Sequence, residues 1–287
     1  MSGVAIVGAS GLVGSALARA LPQAIPLRHA DLDITDAETV RRVIARLQPQ
    51  LIFNTAVIGV DECERRPDVA RAVNVDGPSA LAAAATDCGA TFVHFSSNYV
   101  FDGIREREPY TIDDEPRPIN VYGRTKLEGE RVAAERCPKT FVIRTSWVYG
   151  PGKSSFLATA GEKLRRGQKM QAISDTWASC TYVEDLVQRV LTVIGRGAFG
   201  TYHIVNEGVC SLEMFAREAA RHLGVPDEIA SRLIEMTTEA QMQREAARPR
   251  FTPMRCLLSE RLGFGRMRPW QAALGDYLTL SPARTQP

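Results

Sequence analysis

The 287-residue sequence predicts an α/β protein, a doubly wound parallel sheet carrying a smaller, mainly helical C-terminal lobe. Three observations predict it. Short apolar runs of strand length alternate with helical stretches up to residue 205, the rhythm of a parallel sheet. The first run passes directly into a glycine-rich turn and then a helix. From Glu207 the pattern changes to helices separated by irregular segments containing Pro, Arg and Met. On this pattern residues 1–146 and 176–206 form a dinucleotide-binding sheet domain, and residues 147–175 and 207–287 form a lobe that closes over the sheet edge.

Taken in order, Gly3-Val4-Ala5-Ile6-Val7 is an apolar run of the kind buried on both faces of a parallel sheet. It enters Gly8-Ala9-Ser10-Gly11-Leu12-Val13-Gly14, followed by a helix over 15–21. Strand, glycine turn and helix make an anion site, because glycines let the backbone approach a pyrophosphate and the helix start supplies unpaired N–H groups. The spacing is G-x-x-G-x-x-G rather than the commoner G-x-G-x-x-G. Residues 24–27 are the second strand, ending at Arg28 and His29. In a dinucleotide fold this position faces the adenosine ribose, and an Arg there accommodates a 2′-phosphate, so Arg28 points to NADP. Thr35 or Asp36 can cap a helix over 37–47. Leu51-Ile52-Phe53 is a buried strand ending in Asn54-Thr55-Ala56, and an Ala-rich helix over 69–88 contains Asn74. Thr91-Phe92-Val93-His94-Phe95 then delivers Ser96-Ser97-Asn98-Tyr99 at its C-terminal end, the edge where ligands sit in such sheets.

The stretch from Asn120 to Glu130 carries the chemistry. Asn120 is a plausible N-cap after Pro116 and Pro118, and on the helix that follows Tyr122 and Lys126 share one face. A phenol titrates near pH ~10. An ammonium within ~4–6 Å lowers that value and makes the phenol a usable general acid for a carbonyl oxygen. Next come a strand over 140–144 leading to Thr145-Ser146-Trp147, a helix over 154–166, a strand over 170–173 and a helix over 182–194. A strand over 200–205 and helices over 211–223 and 227–233 complete the pattern.

Composition bounds the partners. A net charge of +2 gives no bulk electrostatic case for nucleic acid or an anionic membrane. No apolar run approaches the ~20 residues of a membrane helix, and the start lacks the basic flank of a signal peptide. The six scattered cysteines form no C-x-x-C pair and there is no clustered His, which disfavours a metal site and fits free thiols in a reducing cytoplasm.

These pieces together resemble the extended short-chain dehydrogenase/reductase family, whose fold is of the Rossmann type. The matching residues are the Gly8/Gly11/Gly14 turn, Asp33-Ile34, Asn54-Thr55-Ala56, Asn74, Ser97, Tyr122-x-x-x-Lys126 and the Arg144 strand. Within it the chain is most similar to dTDP-4-dehydrorhamnose reductases, through His94 to Gly103, Asn120 to Leu127, Arg144 to Gly150 and Arg248-Pro249. The resemblance implies a cytoplasmic enzyme, monomer or homodimer, that uses NADPH, with NADH as the alternative, to reduce the 4-keto group of a nucleotide-linked 4-keto-6-deoxysugar. Gly8, Ser10, Gly11, Leu12, Val13 and Gly14 would take the pyrophosphate, Asp33 and Ile34 the adenine, and Lys126 the nicotinamide ribose. Asn54, Thr55, Ala56 and Asn74 would complete the cofactor site. Ser97 would bond the keto oxygen, and Tyr122 would protonate it. Asn98, Tyr99 and Trp147 would contact the substrate, with Lys153, Arg248 and Arg250 on its pyrophosphate.

Three departures mark this chain. Ser97-Asn98 stands where the family has Thr-Asp, removing a carboxylate beside the reacting carbon. Ser15-Ala16-Leu17 offers no acid on the first helix, so no metal-bridged dimer is expected. Phe251-Thr252-Pro253-Met254 replaces a small polar run after Arg248-Pro249. A 4,6-dehydratase would need an acid pair that Asn98-Tyr99 does not supply. A nucleotide-sugar 4-epimerase, and a non-catalytic regulatory subunit resembling that of methionine adenosyltransferase, remain the alternatives.

Overall fold

The computed structural model describes residues 3–152 and 154–280. The strand β1 (Val4–Val7) leads through the glycine turn into helix α1 (Leu12–Ala20), then β2 (Ile25–Leu27), α2 (Ala37–Leu47) and β3 (Leu51–Asn54). Two short helices, α3 (Val60–Arg65) and α4 (Pro67–Arg71), precede α5 (Gly77–Asp87), β4 (Thr91–Ser97), α6 (Val121–Arg136) and β5 (Thr140–Thr145). There follow β6 (Val148–Tyr149), α7 (Phe156–Arg165), β7 (Met170–Ile173), β8 (Thr181–Tyr182), α8 (Val183–Ile194) and β9 (Gly200–His203). The last elements are α9 (Leu212–His222), α10 (Asp227–Leu233), β10 (Ile234–Thr237), α11 (Leu257–Arg261) and α12 (Trp270–Leu280). No helix among the described residues is long and apolar enough to cross a membrane.

Six strands pair in parallel in the order β2-β1-β3-β4-β5-β9. The chain steps outward from β1 to β2 and returns across β1 to β3, so the order reverses there and leaves a crevice at the carboxyl ends of these strands. Register aligns the exits. Val7 lies beside Leu27 and Asn54, and Ser97 beside Thr145, so the glycine turn, Arg28, Thr55, Asn98 and Ser146 all leave the same edge. Alternate residues of β1 face opposite layers. Val4 and Ile6 join a core with Phe53, Phe141, Leu186 and Trp270, while Ala5 and Val7 pack with Val40, Ile44, Leu81 and Phe92.

The structure departs from the expected elements in four places. First, α1 begins at Leu12 because Gly11 is already its N-cap. Second, the helix expected over 69–88 is interrupted by a π-turn, Ala72–Asp76. Pro78 has no N–H to give the Asn74 carbonyl four residues back and would clash with it, so the turn widens. The freed carbonyl faces α6 at Gly129, where a Cβ would sit 2.0 Å from it. Third, β10 pairs in parallel with β7, giving the C-terminal lobe a two-stranded sheet among its helices. Fourth, α3, α11 and α12 lie where no element was expected, and the β6–β8 pair takes Tyr182 from the start of the helix expected over 182–194.

A buried charge network crosses the sheet layer. Glu130 on α6 takes a bidentate ion pair from Arg144 on β5, at 3.0 Å from Nε and 2.7 Å from Nη2, and Ser96 donates to the same carboxylate. Arg144 Nη1 also lies 3.4 Å from His203 Nε2, leaving His203 Nδ1 to donate to the Tyr110 carbonyl. Burial, then the Arg144 charge, push His203 down to about 3, and burial holds His94 well below the ordinary imidazole range. Both rings stay neutral in the folded chain, whereas the unfolded chain protonates them below about pH 6.5. The unfolded state therefore binds more protons through this window, and stability falls as pH drops below about 6.5. Each ring adds up to about 1.4 kcal/mol per pH unit. Urea unfolding between about pH 6 and 5 is expected to show a steeper slope for the native chain than for His203→Gln, by roughly that amount. Equal slopes would mean that His203 is not held neutral.

Candidate functional site

The glycine turn is a cradle that side chains would fill. Gly8 has φ +78°, and a Cβ there would lie 2.7 Å from the Ala56 amide nitrogen, while one at Gly14 would lie 2.4 Å from the Gly8 carbonyl oxygen. Gly11 caps α1 without a side chain, and no acid stands in the first turn. The first N–H groups of α1 thus remain open to an anion, with the helix dipole behind them. Ser10 is exposed at the tip, with Leu12 and Val13 half-buried below it. Thr55 closes the floor, donating to the Val7 carbonyl at 2.8 Å, and Asn54 Oδ1 accepts the Ala56 amide. Leu27 accepts the amides of Gly8 and Ala9, which places the exposed Arg28 beside the turn. Asp33 accepts the amide and hydroxyl of Thr35, which hold its carboxyl below the usual range, and Ile34 packs against Gly77.

The second group stands on α6. Asn120 caps it as expected, accepting the Gly123 amide at 2.7 Å. Glu64, from α3, accepts the Val121 amide at 3.1 Å. A Cβ at Gly123 would lie 2.1 Å from the Tyr99 carbonyl oxygen, so only glycine lets α6 come down onto the turn Asn98–Val100. That approach sets the Tyr122 and Tyr99 rings edge to face at 5.7 Å and brings Tyr122 near enough for the Ser97 hydroxyl to act on its phenol. Lys126 is fully buried and its Nζ donates to the Phe95 carbonyl at 2.6 Å. Asn74 joins this group rather than the glycine turn, donating to Thr125 at 3.0 Å and lying 3.8 Å from the Cys63 sulfur.

One electrostatic expectation is corrected. The Tyr122 phenol is not brought down by Lys126. Burial pushes it up to about 12, and the opposing pull comes from the Ser97 hydroxyl. The reason is that Lys126 is turned to the Phe95 carbonyl and is itself pushed down to about 8 by burial, with Glu130 holding it up. At neutral pH the arrangement holds a protonated phenol, a hydroxyl and a buried ammonium at one sheet edge. It can give a proton to a developing alkoxide and balance its charge.

The third group lines the space beyond. Tyr99, Trp147, Glu239, Arg244 and Arg248 border a cavity of about 230 Å³. Trp147 has φ +40°, a conformation rare for a bulky residue and concentrated at functional sites. Arg248 is not a free phosphate ligand. It is nearly buried and paired with both oxygens of Asp61 at 2.7 Å, which holds that carboxyl down at about 2. Arg250 lies over the Trp177 ring at 5.5 Å, and together with Arg248 it borders a second cavity of about 870 Å³. Asn98 lies between Ser97 and Thr252, its Oδ1 accepting the Ser97 hydroxyl and its Nδ2 donating to Thr252. Lys153 lies outside the described residues. Asp61, Cys63, Glu64, Glu130, Arg244 and Thr252 were not anticipated as site residues. The signal for α3 was available in Gly59 followed by Asp61 and Glu62 and then two arginines, the charge order of a short helix.

The model of the RmlD substrate binding domain family matches residues 1–281. The chain is similar to the spore coat polysaccharide biosynthesis protein SpsK of Bacillus subtilis (strain 168), 34% identical over 283 residues covering 97% of each chain. It is 34% identical to a dTDP-4-dehydrorhamnose reductase of Mycolicibacterium smegmatis, over 95% of its own length and 84% of that protein's. Among solved structures it resembles a dTDP-4-dehydrorhamnose reductase from Bacillus anthracis str. Ames in complex with NADP, with TM-score 0.90 and 30% identity over 98% of this chain and 100% of that one.

Proposed function

The chain belongs to the RmlD substrate binding domain family, and from that premise we propose that it is an NADPH-dependent reductase of the 4-keto group of a nucleotide-linked, dTDP-type 4-keto-6-deoxysugar. The observation that carries the reading is the convergence of Ser97, Tyr122 and Lys126 beside the glycine cradle at one sheet edge. The cradle fits a dinucleotide, since two of its glycines admit no side chain and the α1 N–H groups are uncapped. NADPH, when bound, supplies the hydride. Ser97 orients and polarises the keto group, and Tyr122 gives its phenolic proton to the oxygen. Lys126, held by the Phe95 carbonyl, supplies positive charge beside the pair and would be the residue to hold the cofactor ribose. Residues 147–175 and 207–287 form the substrate lobe, with the Trp147 ring as a wall of the sugar pocket.

The test follows loss of NADPH absorbance with a panel of dTDP- and UDP-linked 4-keto-6-deoxysugars. Oxidation of one NADPH per sugar is expected with at least one dTDP-linked member. No oxidation with any of them, together with NAD retained through purification, would replace this reading by an epimerase.

A further inference from the structure

Two departures of this chain from the family pattern meet in space. Asn98, 2% exposed, donates through Nδ2 to Thr252 Oγ1 at 2.7 Å, and its Oδ1 accepts the Ser97 hydroxyl at 3.1 Å. Thr252, 1% exposed, is held by its own backbone, its amide donating to the Trp177 carbonyl at 2.8 Å. Ser97 Oγ also accepts the Tyr99 amide at 3.2 Å. A carboxylate presents two equivalent acceptors, whereas a carboxamide has one donor end and one acceptor end. In the structure the donor end faces Thr252 and the acceptor end faces Ser97. The one proton of the Ser97 hydroxyl then has a set resting direction.

We propose that Thr252 is a positioning residue for the reaction, acting through Asn98 to fix the direction of the Ser97 hydroxyl beside Tyr122. The inference rests on the role given to Ser97 under the proposed function. Without an acceptor at position 252 the carboxamide is free to turn over and offer Nδ2 to Ser97, so that Oδ1 no longer holds the Ser97 proton and the hydroxyl can spend it on the Tyr122 phenol in competition with the keto oxygen. The Phe251–Pro253 stretch is therefore a replacement that keeps one polar atom where the relay needs it.

Thr252→Val and Thr252→Ser, alone and combined with Asn98→Ala, test the relay in the full chain. Thr252→Val is expected to lower kcat about tenfold with KM for the sugar nucleotide and affinity for NADPH unchanged. Thr252→Ser should restore kcat, and Thr252→Val should cost nothing further in the Asn98→Ala background. Unchanged kcat in Thr252→Val, or additive losses in the double variant, would overturn the proposal. Proton exchange of the Asn98 side-chain amide, followed by NMR, reads the same contact without turnover. It should be slow in the native chain and in Thr252→Ser, and fast in Thr252→Val. Equal exchange in all three overturns the relay even if every sugar is reduced. A native chain that reduces no sugar but shows this exchange pattern overturns the proposed function alone.

Discussion

Replacing Tyr122 by Phe is expected to lower kcat by about 10²–10⁴-fold, the usual contribution of a positioned general acid. The substitution removes one oxygen and keeps the ring, so the edge-to-face contact with Tyr99 and the seat of α6 on the Asn98–Val100 turn are retained. Folding and NADPH affinity should therefore stay near native values, and the loss should fall on kcat and kcat/KM equally. Because the phenol sits at about 12, it is protonated throughout the working range and sets no limb of the pH profile there. The alkaline limb should instead lie near 8, where buried Lys126 loses its charge. Lys126→Ala should abolish that limb and weaken NADPH binding as well. Steady-state rates and cofactor titration by fluorescence check all of this. A Phe variant turning over within a few-fold of native would remove Tyr122 from the chemistry.

Glu130→Gln is expected to destabilise the fold by about 3–5 kcal/mol, the cost of leaving one member of a buried ion pair uncompensated. Both partners are under a tenth exposed, and Arg144 would remain charged among Phe101, His203 and the sheet. A loss of this size is a large share of the ~5–15 kcal/mol that holds an ordinary domain. The same substitution withdraws the charge that holds Lys126 up against its burial. The alkaline limb of activity should therefore move to lower pH in whatever fraction folds. Urea melts and a pH–rate profile measure the two effects separately. Glu130→Met with Arg144→Met should recover much of the stability, because no charge is then stranded. It should not recover the limb. A loss below about 1 kcal/mol in Glu130→Gln would show that water reaches the pair.

What could be read from the sequence was what local chemistry decides. Helix α2 runs over the expected 37–47 because Asp36 caps it, and α10 over the expected 227–233, where Pro226 precedes two acids and Arg232 stands in the last turn. The end of β1 was legible from the glycine turn that follows it, whereas β3 and β4 run one and two residues past the expected 51–53 and 91–95. What escaped depends on distant partners. Helix α3 has six residues and no apolar stripe, and its use lies in Asp61 meeting Arg248 and Glu64 meeting the α6 start. Strand β10 exposes Glu235 and Met236 and exists because β7 pairs with it. Asn98 and Thr252 are 154 positions apart. Lys126 was placed on the correct helix face, but the carbonyl that captures its ammonium belongs to β4, and spacing within α6 carries no word of it.

The left-handed backbone at Trp147 reverses an ordinary rule of substitution. At most positions alanine is the safer truncation and glycine the costlier one, by about 0.5–1 kcal/mol in regular structure. Here alanine would discard the indole's contacts and still be forced into a twist that L-residues resist, whereas glycine would discard the same contacts and relax. Trp147→Gly should consequently melt above Trp147→Ala, though both lose the wall of the pocket. A lineage drifting away from the indole has one gentle exit, and it is the residue that carries no side chain at all.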